Sequence, residues 1–152
     1  MLDIGDTAPD FEMPDQAGRP VRLSRFRGLH NVVLFFYPKD NTMVCNLEVC
    51  AFRDAHLDLL ALGAVVLGVS SDPIDSHKAY AGRWELPYQL LTDTDGRVRE
   101  AYRVGRTLGL FPGRVTYVID KQGIVRGAIN DPLRAGLHVR EALALLRDQR
   151  SV

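Results

Sequence analysis

The chain is poor in sulfur and has no surplus charge. Only two of its 152 residues are cysteine, and one is tryptophan. Lys plus Arg number 19 and Asp plus Glu 19, so the formal net charge is zero. That balance removes the basic signature of nucleic-acid or anionic-membrane binding, and neither partner is expected. Long hydrophobic runs are missing too. The longest, Leu59 to Val69, carries two glycines and falls well short of the roughly 20 residues that span a bilayer. The opening residues Met1-Leu2-Asp3-Ile4-Gly5-Asp6 are acidic and lack the apolar stretch of a signal peptide, which predicts a cytoplasmic protein with reduced thiols. Two cysteines are also too few for a disulfide framework. A chain of this length buries about 70% of its unfolded surface and needs neither metal nor disulfide to fold. One domain over residues 1–152 is expected, and its cysteines are free for chemistry.

Repeats, linkers and low-complexity tracts are absent as well, and Pro and Gly punctuate turns. What is present is an alternation of strands and helices. Asn31–Phe36 and Ala64–Ser70 have the continuous apolar character of strands covered on both faces. Thr42 to Leu62 between them predicts one helix, with apolar Leu47, Phe52, Leu59 and Leu60 alternating with Glu48, Arg53, Asp54 and Asp58. A strand–helix–strand unit of this kind implies a right-handed parallel crossover. Pro73, placed at a first helical position, opens a second helix to about Leu86. Gln89–Asp93 predicts a strand and Gly96–Tyr102 a short helix. Val115–Asp120 and Ile124–Ile129, joined by Lys121-Gln122-Gly123, predict an antiparallel hairpin. Leu137–Gln149 predicts a final helix. The sum is an α/β domain with a mixed sheet flanked by helices.

The two cysteines stand five positions apart, in Tyr37-Pro38-Lys39-Asp40-Asn41-Thr42-Met43-Val44-Cys45-Asn46-Leu47-Glu48-Val49-Cys50. Asn41 and Thr42 are both good N-cap types. Cys45 therefore falls in the first helical turn, where free N–H groups and the helix dipole favour a thiolate. An isolated cysteine is otherwise a small buried apolar residue. On a continuous helix an i, i+5 pair holds its Cα atoms roughly 8 to 9 Å apart, and a disulfide needs about 7 Å or less. Pairing would require the helix start to unwind, which favours a switch over a static crosslink. A zinc site would need two further ligands, and His30, His56, His77 and His138 show no ligand-type spacing.

Pro38-x-x-x-Thr42-x-x-Cys45 resembles the active-site signature of the peroxiredoxins. The second cysteine, with Ala51-Phe52-Arg53-Asp54 after it, is similar to the peroxiredoxin Q branch, also called bacterioferritin comigratory protein. Gly5-Asp6-x-Ala8-Pro9-x-Phe11, Leu23-Ser24-x-Phe26-x-Gly28 and Arg114–Asp120 extend the resemblance over nearly the whole chain. It implies a thioredoxin-like fold and a thiol peroxidase with no cofactor and no metal. Cys45 would attack the peroxide and become a sulfenic acid, and Cys50 would resolve it as a disulfide. Thr42 would hydrogen-bond the peroxide and thiolate, Pro38 would shield the sulfur, and Arg114 would hold its guanidinium beside both. Preorganised donors of that kind lower comparable barriers by roughly 3 to 4 kcal/mol each, and an always-charged planar guanidinium suits the task. A hydroperoxide is the implied substrate, thioredoxin or a similar dithiol the reductant, and a monomer the expected state, since the resolving cysteine shares the helix.

Two departures from the family pattern stand out. Met43-Val44 replace the common Pro-Gly before the peroxidatic position, adding a β-branched residue beside the nucleophile. The stretch Gly105–Gly113 is short, with Leu108, Leu110, Phe111 and Pro112, and is expected to rim the site. A thiol–disulfide oxidoreductase and a non-catalytic chaperone or binding module are the alternatives. Only peroxide chemistry needs both Thr42 and Arg114 beside the sulfur.

Overall fold

The computed structural model describes residues 1–107 and 111–150. A hairpin of β1 (Glu12–Pro14) and β2 (Pro20–Arg22) comes first, its turn closed by Asp15 Oδ1, which accepts the N–H groups of Ala17 and Arg19. Then follow β3 (Asn31–Phe36), α1 (Met43–Asp54), α2 (His56–Ala61), β4 (Ala64–Ser70), α3 (Ile74–Trp84), β5 (Gln89–Thr92) and α4 (Arg97–Ala101). The two-residue strands β6 (Arg106–Thr107) and β7 (Phe111–Pro112) pair with each other. β8 (Val115–Ile119), β9 (Val125–Asn130) and α5 (Ala135–Arg150) complete the chain.

The main sheet has the order β5-β4-β3-β8-β9. β3, β4 and β5 run parallel, while β8 and β9 run antiparallel, as the strand–helix–strand pattern and the short Lys121–Gly123 link predict. Because side chains alternate along a strand, Val33, Phe35 and Tyr37 face one core with α1, α3 and α5. Val32, Leu34 and Phe36 face the other, with the N-terminal hairpin and Tyr102. Gly68 in the middle of β4 is explained by its register partner Phe35. A Cβ there would stand 2.7 Å from the Phe35 ring and 2.8 Å from Leu90. The space admits the Phe35 ring, which stacks on Phe52 of α1 at 4.6 Å and so sets the helix on the sheet.

One expectation is corrected. The single helix from Thr42 to Leu62 is two, parted at Ala55 with φ −93° and ψ 2°. Of its apolar residues, Phe52 and Leu59 are buried, but Leu47 and Leu60 are exposed. The stripe that α1 buries is Cys45, Glu48, Val49 and Phe52, a regular i, i+3, i+4, i+7 face. A glutamate occupies one of its four places, and an apolar count therefore points the helix the wrong way. Smaller shifts also occur: Pro73 is the N-cap of α3, one residue before the helix, and the last helix starts at Ala135.

Candidate active site

The loop from Tyr37 to Thr42 carries the chain from the end of β3 into α1. It turns at Asn41, whose φ of 66° lies in the left-handed region that asparagine tolerates better than most residues. Its shape is held from below. The Tyr37 hydroxyl donates to Asp40 Oδ1 at 2.6 Å, Ser76 donates to Asp40 Oδ2, and His77 Nδ1 lies 2.8 Å from the same oxygen. Asp72 Oδ2 accepts the Asp40 backbone N–H and the Ser70 hydroxyl. Asp40, Asp72 and His77 lie close enough together to suggest a metal site. Their oxygens, however, already serve this hydrogen-bond set, so the cluster reads as an anchor for the loop.

Cys45, the third residue of α1, is fully buried. Arg114, just before β8, reaches across from the neighbouring strand. Its Nη2 donates to Cys45 Sγ at 3.1 Å, its Nη1 to Glu48 Oε1 at 2.7 Å, and its Nε to the Pro132 carbonyl at 3.3 Å. Arg114, Thr116 and Val118 alternate onto the sheet face that α1 and α5 cover, which is how the strand register aims the guanidinium at the sulfur. Burial acts to lower the arginine's affinity for its proton, but the Glu48 carboxylate and the Cys45 sulfur more than offset it. Burial pushes the Glu48 carboxyl up to about 7 against the pull of Arg114. Behind Glu48, on α5, stands His138. Its Nδ1 is 2.7 Å from the Thr116 hydroxyl and its Nε2 2.8 Å from the Asp131 carbonyl.

Cys50, five residues further along the same helix, is half-buried against the same core as Cys45, and both cysteines are free thiols. Burial pushes the Cys50 thiol up, with Arg53 opposing and Asp54 adding. Thr42 is the N-cap residue, but its side chain caps no helical N–H. The exposed hydroxyl instead donates to the Lys39 carbonyl at 3.2 Å, within the loop that also holds half-buried Pro38. Thus Cys45 and Arg114 are in direct contact, while Pro38 and Thr42 share the loop delivering the cysteine. Of the Gly105–Gly113 stretch, Leu108, Gly109 and Leu110 lie outside the described residues.

Three side chains around the site escape sequence reasoning. Glu48 and His138 are two. The third is Arg99 of α4, which donates to the Gly113 carbonyl and the Tyr37 carbonyl, both at 3.0 Å. It staples the residue before Pro38 to the residue before Arg114, and so holds two halves of the site in register. The sequence carries no local signal for them: an apolar count turns Glu48 to solvent, and the groups that Arg99 and His138 meet lie far away in the chain.

Residues 4–128 match the AhpC/TSA family. The chain is 44% identical over 144 residues to the chloroplastic peroxiredoxin Q of Sedum lineare, covering 94% of this chain and 77% of that one. The chain belongs to this family. It is also 44% identical to the chloroplastic peroxiredoxin Q of Arabidopsis thaliana, spanning 66% of that protein's length. Among solved structures it resembles the peroxidoxin BcpB of Mycobacterium tuberculosis, at 38% identity and a TM-score of 0.90, with 97% of this chain and 98% of that one covered. The fold is accordingly thioredoxin-like, and the activity of the family is that of a thiol-dependent peroxidase, an oxidoreductase of antioxidant defence. The cytoplasmic expectation is overturned, because the curated relatives are named as plastid proteins. It rested on the want of a leader in the first residues, and a packed α/β core carries no address of its own. No helix among the described residues is long and apolar enough to cross a membrane.

Proposed function

We propose that this chain reduces hydroperoxides through Cys45 as the attacking thiolate and Cys50 as the resolving thiol, with a thioredoxin-type dithiol returning both to the reduced state. The hydrogen bond from Arg114 Nη2 to the buried Cys45 sulfur, 3.1 Å long, carries this reading. The guanidinium stands where negative charge develops as the O–O bond breaks. The sulfur attacks one peroxide oxygen, the other leaves as an alkoxide or hydroxide and takes a proton, and Cys45 becomes a sulfenic acid. The Cys50 sulfur then displaces that hydroxyl as water and forms the disulfide. The upward shift of the Cys50 thiol suits a residue that waits as a thiol until the sulfenic acid appears. Thr42 and Pro38, on the loop before Cys45, supply the peroxide's remaining contact and its shield from water. The anchored Asp40 turn and the Arg99 staple hold that loop.

Both cysteines lie in the continuous helix Met43–Asp54, whose geometry keeps an i, i+5 pair too far apart to bond. Disulfide formation therefore unwinds the first turns of α1 and brings the bond to the surface for the reductant. Because the partner sulfur is on the same helix, one chain suffices and a monomer is the working unit. The test is peroxide consumption driven by thioredoxin, its reductase and NADPH. Wild type should turn over, Cys45→Ser should not react at all, and Cys50→Ser should be oxidised once per chain and then stall. Equal loss of the first oxidation in both variants would overturn the assignment.

A further inference from the structure

Glu48 Oε1 is paired with Arg114, but Oε2 is buried and has no hydrogen-bond partner. The nearest polar group on α5 is His138 Nδ1, at 3.6 Å. Both side chains are fully enclosed. His138 Nε2 faces the Asp131 carbonyl at 2.8 Å and must carry the hydrogen there, since a carbonyl only accepts. Burial, the largest influence on His138, also disfavours its charged form, which leaves Nδ1 as a bare acceptor. Two acceptors thus face each other in a buried space. The Thr116 hydroxyl lies against Nδ1 at 2.7 Å and is engaged there. The second carboxylate oxygen is left with nothing, an arrangement native interiors avoid because an unsatisfied buried group costs more than a made bond returns. A single proton added to the carboxyl resolves it, turning Glu48 into a donor that faces the His138 Nδ1 acceptor.

We propose that Glu48 and His138 hold one exchangeable proton between them, behind Arg114, and that this proton decides how much of the arginine's positive charge is left for the Cys45 sulfur. With it bound, Glu48, His138 and Arg114 together carry one positive charge, which the Cys45 thiolate neutralises. Without it, carboxylate and guanidinium cancel, and the thiolate is a lone buried anion. The other ionisable groups around Glu48 do not replace the proton. Tyr88 donates its hydroxyl to the Val49 carbonyl, Cys45 is itself the group being tuned, and Asp131 offers His138 only its backbone carbonyl. That burial sets the Glu48 carboxyl near 7 agrees with a proton that exchanges around neutrality. Glu48 and His138 are on this account positioning residues that act through Arg114. The inference rests on the peroxidase reading only for its consequence, not for the proton itself.

Infrared spectroscopy on the Cys45→Ser protein separates the two. The C=O stretch of a protonated buried carboxyl should be present in acid and vanish as pH rises through neutrality. It should be missing in Glu48→Gln/Cys45→Ser, and its midpoint should move by about one pH unit, a tenfold change in proton affinity, in His138→Gln/Cys45→Ser. No peroxide is involved, so failure of the peroxidase reading would leave this result standing. With Cys45 in place, the pH profile of peroxide oxidation should carry an inflection near neutrality that Glu48→Gln lacks. Absence of the carboxyl band at every pH, a band that survives Glu48→Gln, or a midpoint unmoved by His138→Gln would overturn the shared proton. Superimposable rate profiles of wild type and Glu48→Gln would overturn its effect on the sulfur.

Discussion

Replacing Arg114 by alanine should injure the protein twice, and pH separates the injuries. Arg114 is 3% exposed, and its guanidinium serves three acceptors: the Cys45 sulfur, the Glu48 carboxylate and the Pro132 carbonyl. Loss of one preorganised donor at a reacting centre slows comparable reactions by about 10² to 10³, so stopped-flow oxidation by hydrogen peroxide should slow by about 10² or more. Sequence alone suggests that folding would hardly notice, since Arg114 is no apolar core residue. The structure says otherwise, because stripping one partner from a buried ion pair costs about 3 to 5 kcal/mol. Glu48 can escape part of that cost by taking up a proton. Burial already pushes its carboxyl up to about 7 while Arg114 pulls it down, and without Arg114 it must titrate higher still. A carboxyl raised above its unfolded value lends full stability below that unfolded value and loses it as pH climbs towards the folded one. Urea midpoints of Arg114→Ala should therefore lie near wild type at about pH 5 and fall well below it at about pH 8. The double variant Arg114→Leu/Glu48→Leu removes both charges and should recover most of the lost stability, yet still react slowly. A double variant no more stable than the single at the higher pH would refute the buried-charge argument. Wild-type oxidation kinetics in Arg114→Ala would remove Arg114 from the site.

Oxidation to the Cys45–Cys50 disulfide should raise amide hydrogen exchange across residues 42–54 and reduce the helical circular dichroism signal. Equal protection in both redox states would mean that α1 does not unwind. Val44→Gly should speed disulfide formation after sulfenic acid, because it restores backbone freedom beside the nucleophile; an unchanged rate would show that Val44 does not limit the opening. Arg99→Leu cuts the staple between the Tyr37 and Gly113 carbonyls and should slow peroxide oxidation by about tenfold through misplacement of Arg114 relative to the loop, measured by stopped flow; a wild-type rate would show that loop and strand hold register without it. Gly68→Ala places a methyl against the Phe35 ring and Leu90 and should cost about 1 to 3 kcal/mol, read as a lower urea midpoint; a neutral result would mean that Phe35 and Phe52 have room to shift.

How far sequence reasoning reaches depends on the range of the forces involved. The parallel pairing of β3 with β4 and the Lys121–Gly123 hairpin follow from short patterns of strand, helix and turn. The placement of Cys45 in a first helical turn is equally local, because capping and helix geometry act within one turn. The break at Ala55 has no such signal. No proline or glycine marks it, and Phe52 and Leu59, seven residues apart, would share a buried face with or without it. Glu48 is hidden as well. Hydropathy puts a glutamate on the solvent side, whereas here it sits on the buried stripe because Arg114 and His138 arrive from β8 and α5 to receive it. Each of those three polar groups would be costly in the core alone, and only the register of distant strands brings them together. The same register aims Arg114 at the sulfur. A motif of eight residues marks the cysteine, but the groups that surround its sulfur come from segments far apart in the chain, and Arg99 and His138 belong to that second kind of information.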